Sequence, residues 1–130
     1  MLESLAVLVT ALLFGGMVLY SFGFAAFVFS VLPADVAGKT IRKAFPHFYL
    51  FVMATAVAGA LLLWSVDTTS SILLAVIVIT TLPTRQILMP AINQATDSGQ
   101  KARFKWLHTL SVLITLAHMA LAAVVLIRLT

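Results

Sequence analysis

Residues 80–93 read TTLPTRQILMPAIN and continue an apolar run that begins at Ile72. The run is long enough to span a bilayer, yet it contains an arginine, a glutamine, an asparagine and two prolines. An ionisable side chain in a spanning helix is costly and marks a candidate functional site. Four of these residues recur at i, i+3, i+7 and i+10 on one helical face: Pro83, Gln86, Pro90 and Asn93. The segment therefore predicts a transmembrane helix with a polar face near Arg85.

The composition of the whole chain is that of a membrane protein. Hydrophobic residues make up 62% of the 130 residues and charged residues 9%, whereas soluble domains have about 45–50% and about 25%. The absence of cysteine excludes disulfides, cysteine-ligated zinc and iron–sulfur clusters. We interpret the net charge of +4 as membrane orientation rather than nucleic-acid binding, because the basic residues cluster in two short segments.

Four apolar runs predict four helices, at about residues 4–32, 44–66, 70–95 and 101–128. The first run is longer than a signal-peptide core and lacks a positive leader, so we expect it to be retained. Residues 34–38 are predicted to form a turn after Pro33, and residues 67–71 a polar turn that caps the third helix. The short connections favour an all-α, up-down-up-down, integral membrane four-helix bundle, with residues 1–130 as one domain.

The distribution of lysine and arginine predicts the orientation of the bundle. Three basic residues precede the second run and three precede the fourth: Lys39, Arg42, Lys43, Lys101, Arg103 and Lys105. The connection between the second and third runs contains only Asp67. The positive-inside rule then places both basic segments in the cytoplasm and both termini outside. In a bacterium this is a multi-pass protein of the inner (plasma) membrane.

Two helix faces, one on helix 1 and one on helix 4, have residue patterns that indicate either packing or a functional role. On helix 1, small and aromatic residues recur at i, i+4, i+7 and i+11: Gly16, Tyr20, Gly23 and Phe27. This face permits close backbone approach, either within the chain or in a homo-oligomer through Gly16 and Gly23. On helix 4, polar residues recur at i, i+3, i+7 and i+10: His108, Ser111, Thr115 and His118. We expect this stripe to face the interior, as interhelical hydrogen-bonding groups or as a polar pathway or ligand site.

Arg85 is the centre of the predicted site. No aspartate or glutamate lies within a spanning run, so its donors must go to Tyr20, helix carbonyls, water or an anion. Arg85 either extends towards the headgroups or forms an interior polar site for an anionic lipid or a small anionic ligand. The candidate ligand-binding residues are Arg85, Gln86, Asn93, His108, Tyr20, Ser111 and Thr115.

Four segments carry a resemblance to a known family. They are residues 14–20 (FGGMVLY), 43–49 (KAFPHFY), 85–93 (RQILMPAIN) and 104–111 (FKWLHTLS). Together they resemble the transmembrane protein 205-like family, a membrane domain of unknown function. The resemblance implies a four-helix membrane protein and supports Arg85, Asn93 and His108 as a site.

A more distant likeness is to the haem- and copper-related membrane proteins of the HemJ and CopD type. In the HemJ type, the resemblance implies haem ligation by a histidine on helix 1 and a lysine on helix 3. Here helix 1 has no histidine, and helix 3 has Arg85 as its basic residue. His108 and His118 are about 15 Å apart along one helix, so they cannot share a metal ion.

The sequence therefore leaves two functions open. The first is a non-enzymatic transport, channel or lipid- and anion-binding module without a cofactor, since no nucleophile–base–acid set is present. The second is a redox protein that binds haem b or a metal through His47 or His108.

Overall fold

Four long helices make up nearly the whole chain. The computed structural model describes all 130 residues and contains no strand. The helices are α1 (Leu2–Val31), α2 (Ala34–Leu63), α3 (Thr68–Asp97) and α4 (Lys101–Leu129). Each is long and apolar enough to cross a membrane, so the predicted all-α four-helix membrane bundle is confirmed.

Connections of two to four residues join the helices, at residues 32–33, 64–67 and 98–100. Such short connections make consecutive helices antiparallel neighbours. Helix α1 packs on α2, α2 on α3 and α3 on α4, and α4 closes the bundle against α1. The α1–α2 and α3–α4 connections lie at one end, which we call the basic end because six of the eight lysines and arginines lie there.

Helix α2 begins at Ala34, about ten residues before its predicted start, so the turn expected at residues 34–38 was wrong. Leu32 is extended, as the residue before a proline prefers to be, and Pro33 occupies the N-cap position. Asp35 lies in the first turn, where the helix dipole favours an acidic side chain. As a result, Lys39, Arg42 and Lys43 have fixed positions on a helix rather than in a loop.

The other two connections follow local capping rules. Asp67 lies in the predicted capping region and caps α3, accepting hydrogen bonds from the Ser70 amide at 3.3 Å and the Ser70 hydroxyl at 2.6 Å. The helix begins at Thr68, so residues 68–71 form its first turn rather than the predicted polar turn. At the end of α3, Gly99 has a φ of 68°, which a residue without Cβ adopts readily. Its amide donates to Thr96, and the next amide donates to Ala95. These two bonds form a Schellman motif that ends the helix.

Two helices contain a wider, π-helical turn. In α1 it spans Leu19–Phe24, and in α3 it spans Thr84–Leu88, directly after Pro83. Because proline lacks an amide proton, it disrupts the regular hydrogen-bond ladder, and the π turn lets α3 continue without a break. Such turns occur frequently at functional sites. Here they contain Tyr20 and Arg85, two of the predicted site residues.

The core lies in the half of the bundle opposite the basic end. The buried side chains of this half include Ala6, Leu13, Met17, Val52, Ala56, Leu63, Leu74, Ile77, Met119, Ala122 and Val125. Beyond Met17, only Val28 of α1 is buried, and no residue of α4 before His118 is buried. Near the basic end, α1 and α4 therefore bury few side chains, and the cavities described below lie there.

Candidate functional site

A small cavity with a mostly apolar lining lies between α2, α3 and α4 near the basic end. Its volume is about 130 Å³, and its polar lining consists of Arg42, Tyr49, Asn93, His108 and Ser111. Three of these, Asn93, His108 and Ser111, are among the residues predicted from sequence. The cavity forms where α2 presents Arg42 and Tyr49, two turns apart, to the neighbouring helices. Polar residues from three helices thus border one small space.

Arg42 links the cavity to the ion pair at its edge. Its two terminal nitrogens lie 3.2 and 2.9 Å from the two carboxylate oxygens of Asp97, a bidentate geometry. The side chains are 39% and 63% exposed, so water screens the pair. Sequence reasoning missed Arg42 because it placed this residue in a loop. A helix extended back to Pro33 would have aligned Arg42 with the end of α3.

Arg85 lies beside this cavity but does not line it. It is half-buried, and its Nε donates to the Pro46 carbonyl of α2 at 3.1 Å. One terminal nitrogen donates to the Gln86 side chain at 2.6 Å, and the other has no hydrogen-bond partner in the protein. Met89, one turn along α3 from Arg85, forms part of the cavity wall. Arg85 is therefore placed to add positive potential to the deep side of the cavity.

Other predicted site residues lie elsewhere. The Tyr20 hydroxyl donates to the Ala44 carbonyl at 3.0 Å, and the Tyr20 ring stacks on Phe48 with centroids 4.9 Å apart. Thr115 donates back to the Ser111 carbonyl of its own helix at 3.0 Å. Of the residues predicted to surround Arg85, the structure brings only Gln86 into hydrogen-bond contact with it.

The polar stripe on α4 divides into two parts. His108 is exposed, lines the cavity and stacks on Phe104 at 5.4 Å. His118 is only 6% exposed, and its Nε2 lies 2.7 Å from the Thr80 hydroxyl oxygen of α3. Because that hydroxyl donates its proton to the Val76 carbonyl, His118 is the donor in the interhelical bond. His118 therefore joins α3 to α4 within the packed half.

The predicted face of α1 lines a second cavity. Gly16, Tyr20, Gly23 and Phe27 all border an apolar groove of about 660 Å³ between α1 and α2. A Cβ atom at Gly16 would lie 2.5 Å from the Phe51 ring of α2. The close approach that this glycine permits is therefore used within the chain.

A cluster at the opposite end was not found from sequence. Arg128 Nη2 lies 3.1 Å from Asp67 Oδ1, and Arg128 Nε donates to the Ser70 hydroxyl at 3.1 Å. These hydrogen bonds, from Arg128 first and then Ser70, lower the pKa of Asp67 to about 2. The cluster fastens the end of α4 to the α2–α3 turn. Its sequence signal is weak, because Arg128 and Asp67 are 61 residues apart.

The histidines do not form a metal cluster. His47 borders the apolar groove between α1 and α2, and His108 borders the cavity between α2, α3 and α4. No group of three or more histidine, aspartate or glutamate side chains could together hold an ion. A haem or metal would therefore take one of these histidines, not both.

Comparison with known proteins gives one match. The model of a domain of unknown function, DUF4149, matches residues 8–101, which include most of α1 and all of α2 and α3, with Arg85 and Asn93. No curated protein and no solved structure matches the chain significantly. The match covers well over half of the sequence and includes three of the four helices. This small multi-pass membrane protein therefore belongs to the DUF4149 family.

Proposed function

We propose that this protein is a non-enzymatic membrane module that binds a phosphate-like anionic group in the cavity between α2, α3 and α4. The observation that carries the proposal is the convergence of Arg42, Asn93 and His108 in one cavity at the basic end. The group belongs either to an anionic lipid headgroup or to a small free anion. The positive-inside rule assigns this end to the cytoplasm.

The donor chemistry of the cavity suits an anion. A guanidinium offers a planar fork of donors that matches phosphate oxygens, and the amide of Asn93 and the hydroxyl of Tyr49 add neutral donors. A volume of about 130 Å³ holds about four waters at roughly 30 Å³ each. That space is sufficient for one phosphate group but not for a lipid chain.

The packing favours binding over conduction. Opposite the basic end, the space between the helices is filled by apolar side chains such as Leu13, Leu74 and Ile77, each fully buried. A channel needs a polar route through that half as well. We therefore propose a binding protein rather than a channel, with transport requiring a rearrangement of the packed half.

Binding can be tested with purified protein in two arms. One arm titrates inorganic phosphate, and the other compares nanodiscs of phosphatidic acid with nanodiscs of phosphatidylcholine, with thermal unfolding as the readout. Stabilisation by phosphatidic acid alone identifies a lipid headgroup, and stabilisation by both identifies the phosphate group itself. No stabilisation in either arm would refute the proposal.

Amino-acid substitutions test whether the anion binds in the cavity between α2, α3 and α4. Arg42→Gln and Asn93→Leu should each weaken binding about tenfold or more, about 1.4 kcal/mol. Arg103→Gln is the matched control, because it removes one positive charge from the same end at an exposed position. Equal weakening by Arg103→Gln would show that only the overall charge matters.

The haem alternative has a separate test. Haem bound through His47 or His108 would give purified protein a Soret absorption band, and His47→Ala or His108→Ala would remove it. A colourless protein that binds phosphate supports the anion module.

A further inference from the structure

The cavity between α2, α3 and α4 contains a hydrogen-bonding group that the protein itself does not use. Tyr49 is only 7% exposed and lines this cavity, yet its hydroxyl has no hydrogen-bond partner in the protein, in contrast to the Tyr20 hydroxyl. The sealed hydroxyls without a partner are those of Thr10 and Ser21, so the Tyr49 hydroxyl opens into the cavity. Buried polar groups are normally hydrogen-bonded, and here a ligand can supply the partner.

We propose that this cavity selects a singly charged tetrahedral oxyanion, with the Tyr49 hydroxyl as its inner hydrogen-bond donor. The inference rests on the proposed function, since it names the form of the anionic group that the same cavity would take. A phosphate group with one negative charge and a sulfonate share this shape and charge. Support comes from the position of Tyr49, the apolar walls of the cavity and the balance of charges around it.

Tyr49 lies on the same face of α2 as Arg42 but further from the basic end. The two residues are seven positions apart, which corresponds to about 10 Å along the helix and about 20° around it. The Tyr49 ring contacts Phe45 and Phe48, with centroid distances of 6.1 and 5.4 Å. These contacts hold the ring in place before a ligand enters, which lowers the entropic cost of ordering the donor on binding.

Most of the cavity wall is apolar. Four of its side chains offer no hydrogen bond: Ile41, Phe45, Met89 and Ile92. An ion in such surroundings loses the water that stabilises its charge, and the Born cost of this loss rises with the square of the charge. A second negative charge on the ligand would therefore need a second cation within reach, whereas an apolar substituent would suit the same wall.

The fixed charges around the cavity balance one negative charge. Arg42 is the only lysine or arginine that lines the cavity, and Asp97 already accepts from both of its terminal nitrogens. Arg85 adds a second positive charge from beside the cavity, where its Nε is bonded to α2. Two arginines and one aspartate leave a net charge of +1. A singly charged anion neutralises this group, and a doubly charged anion would leave an uncompensated negative charge.

The test compares two tetrahedral anions of fixed charge, sulfate and methanesulfonate. Each is titrated into the intact purified protein at constant ionic strength and about pH 8, where imidazole side chains are ordinarily neutral. Calorimetric titration is the readout, because sulfate raises the stability of many proteins without a specific site. Methanesulfonate should bind about tenfold more tightly than sulfate. Equal binding of the two anions, or tighter binding of sulfate, would overturn the proposal.

Tyr49→Phe tests the inner donor. It breaks no hydrogen bond within the protein, so the ligand-free variant should unfold at the same temperature as the original protein or higher. Methanesulfonate binding should weaken about tenfold. Tyr20→Phe is the matched control, because it removes the chain's other tyrosine hydroxyl, which lies outside the cavity, and it should leave binding unchanged. Unchanged binding in Tyr49→Phe would overturn the assignment of the donor.

Asp97→Asn tests the balance of charges. It raises the net charge of the group from +1 to +2, so sulfate binding should strengthen more than methanesulfonate binding and the preference should shrink. Asp35→Asn is the control, because Asp35 is an exposed carboxylate of the same end that does not line the cavity. An undiminished preference in Asp97→Asn would contradict the charge argument.

The outcomes separate this inference from the proposed function. If inorganic phosphate binds but methanesulfonate is not preferred to sulfate, the anion module stands and the selectivity proposed here is wrong. If inorganic phosphate and both sulfur anions fail to bind, both proposals are wrong.

Discussion

The Nε atom of Arg85 lies 3.1 Å from the carbonyl oxygen of Pro46, so a charged side chain of α3 is hydrogen-bonded to the backbone of α2 within the membrane. A guanidinium at mid-membrane costs about 2.5–3.5 kcal/mol on insertion scales. A hydrogen bond with a charged partner contributes about 1.5–3 kcal/mol. The two effects are of similar size, so stability alone does not account for the arginine.

We therefore expect Arg85→Leu to fold, with a free energy of unfolding within roughly 1 kcal/mol of the original protein, but to bind phosphate more weakly. Unfolding in detergent and phosphate titration measure the two properties separately. Arg85→Lys is the control, because it keeps the charge without the planar fork. Failure to fold would make Arg85 structural, and unchanged phosphate binding would show that it only extends towards the headgroups.

The ion pair between Arg42 and Asp97 predicts a substitution that strengthens phosphate binding rather than weakening it. Because both side chains are partly exposed, Asp97→Asn should change the free energy of unfolding by less than about 1 kcal/mol. The same change frees Arg42 for a ligand and should tighten phosphate binding. Weaker binding in Asp97→Asn would mean that the ion pair positions Arg42 rather than competing for it.

The cluster of Asp67, Ser70 and Arg128 predicts acid sensitivity. Arg128 and Ser70 lower the pKa of Asp67 from 3.8 to about 2, so the folded state favours the ionised carboxylate. Its contribution to stability is complete above about pH 5 and is lost as the pH falls towards 2. Thermal unfolding between pH 2 and 5 should show this decline, and both Asp67→Asn and Arg128→Gln should reduce it. An equal decline in Asp67→Asn would assign it to other groups.

The bond between His118 and Thr80 can be measured by a double-mutant cycle. Thr80→Val removes the acceptor and leaves the buried His118 nitrogen unpaired, at a cost of about 1–3 kcal/mol. His118→Leu combined with Thr80→Val removes both partners and should recover most of that loss. Additive effects in the double variant would show that the two side chains do not interact.

Much of the fold could be predicted from sequence because lipid imposes strong constraints. Long apolar runs in a membrane must be helical, since every backbone polar group needs a partner, and short connections make the helices antiparallel. The start of α2 was missed because Lys39, Arg42 and Lys43 resemble a loop when hydropathy is the only guide. A helix that extends beyond the hydrocarbon region tolerates such residues.

The site was harder to predict than the fold. Asn93, His108 and Ser111 could be singled out because polar residues within apolar runs are conspicuous, and all three border one cavity. Tyr20 and Thr115 satisfy their hydroxyls on nearby carbonyls instead. Helical periodicity predicts which face of a helix a residue occupies, but not which residue of a neighbouring helix it contacts. The π turn at Thr84–Leu88 also shifts the register of every residue that follows it.

Because α2 extends back to Ala34, its basic residues have defined directions around the helix axis. Arg42 and Lys43 are neighbours in sequence but about 100° apart around the helix, so one faces Asp97 while the other lies a turn from His47. Inserting a single residue between Lys43 and Pro46 would rotate both by about 100° and turn Arg42 away from Asp97 and from the cavity that it lines. Such an insertion of an uncharged residue would leave the net charge unchanged. The position of these residues around the helix axis, rather than their number, therefore determines what the basic end can bind.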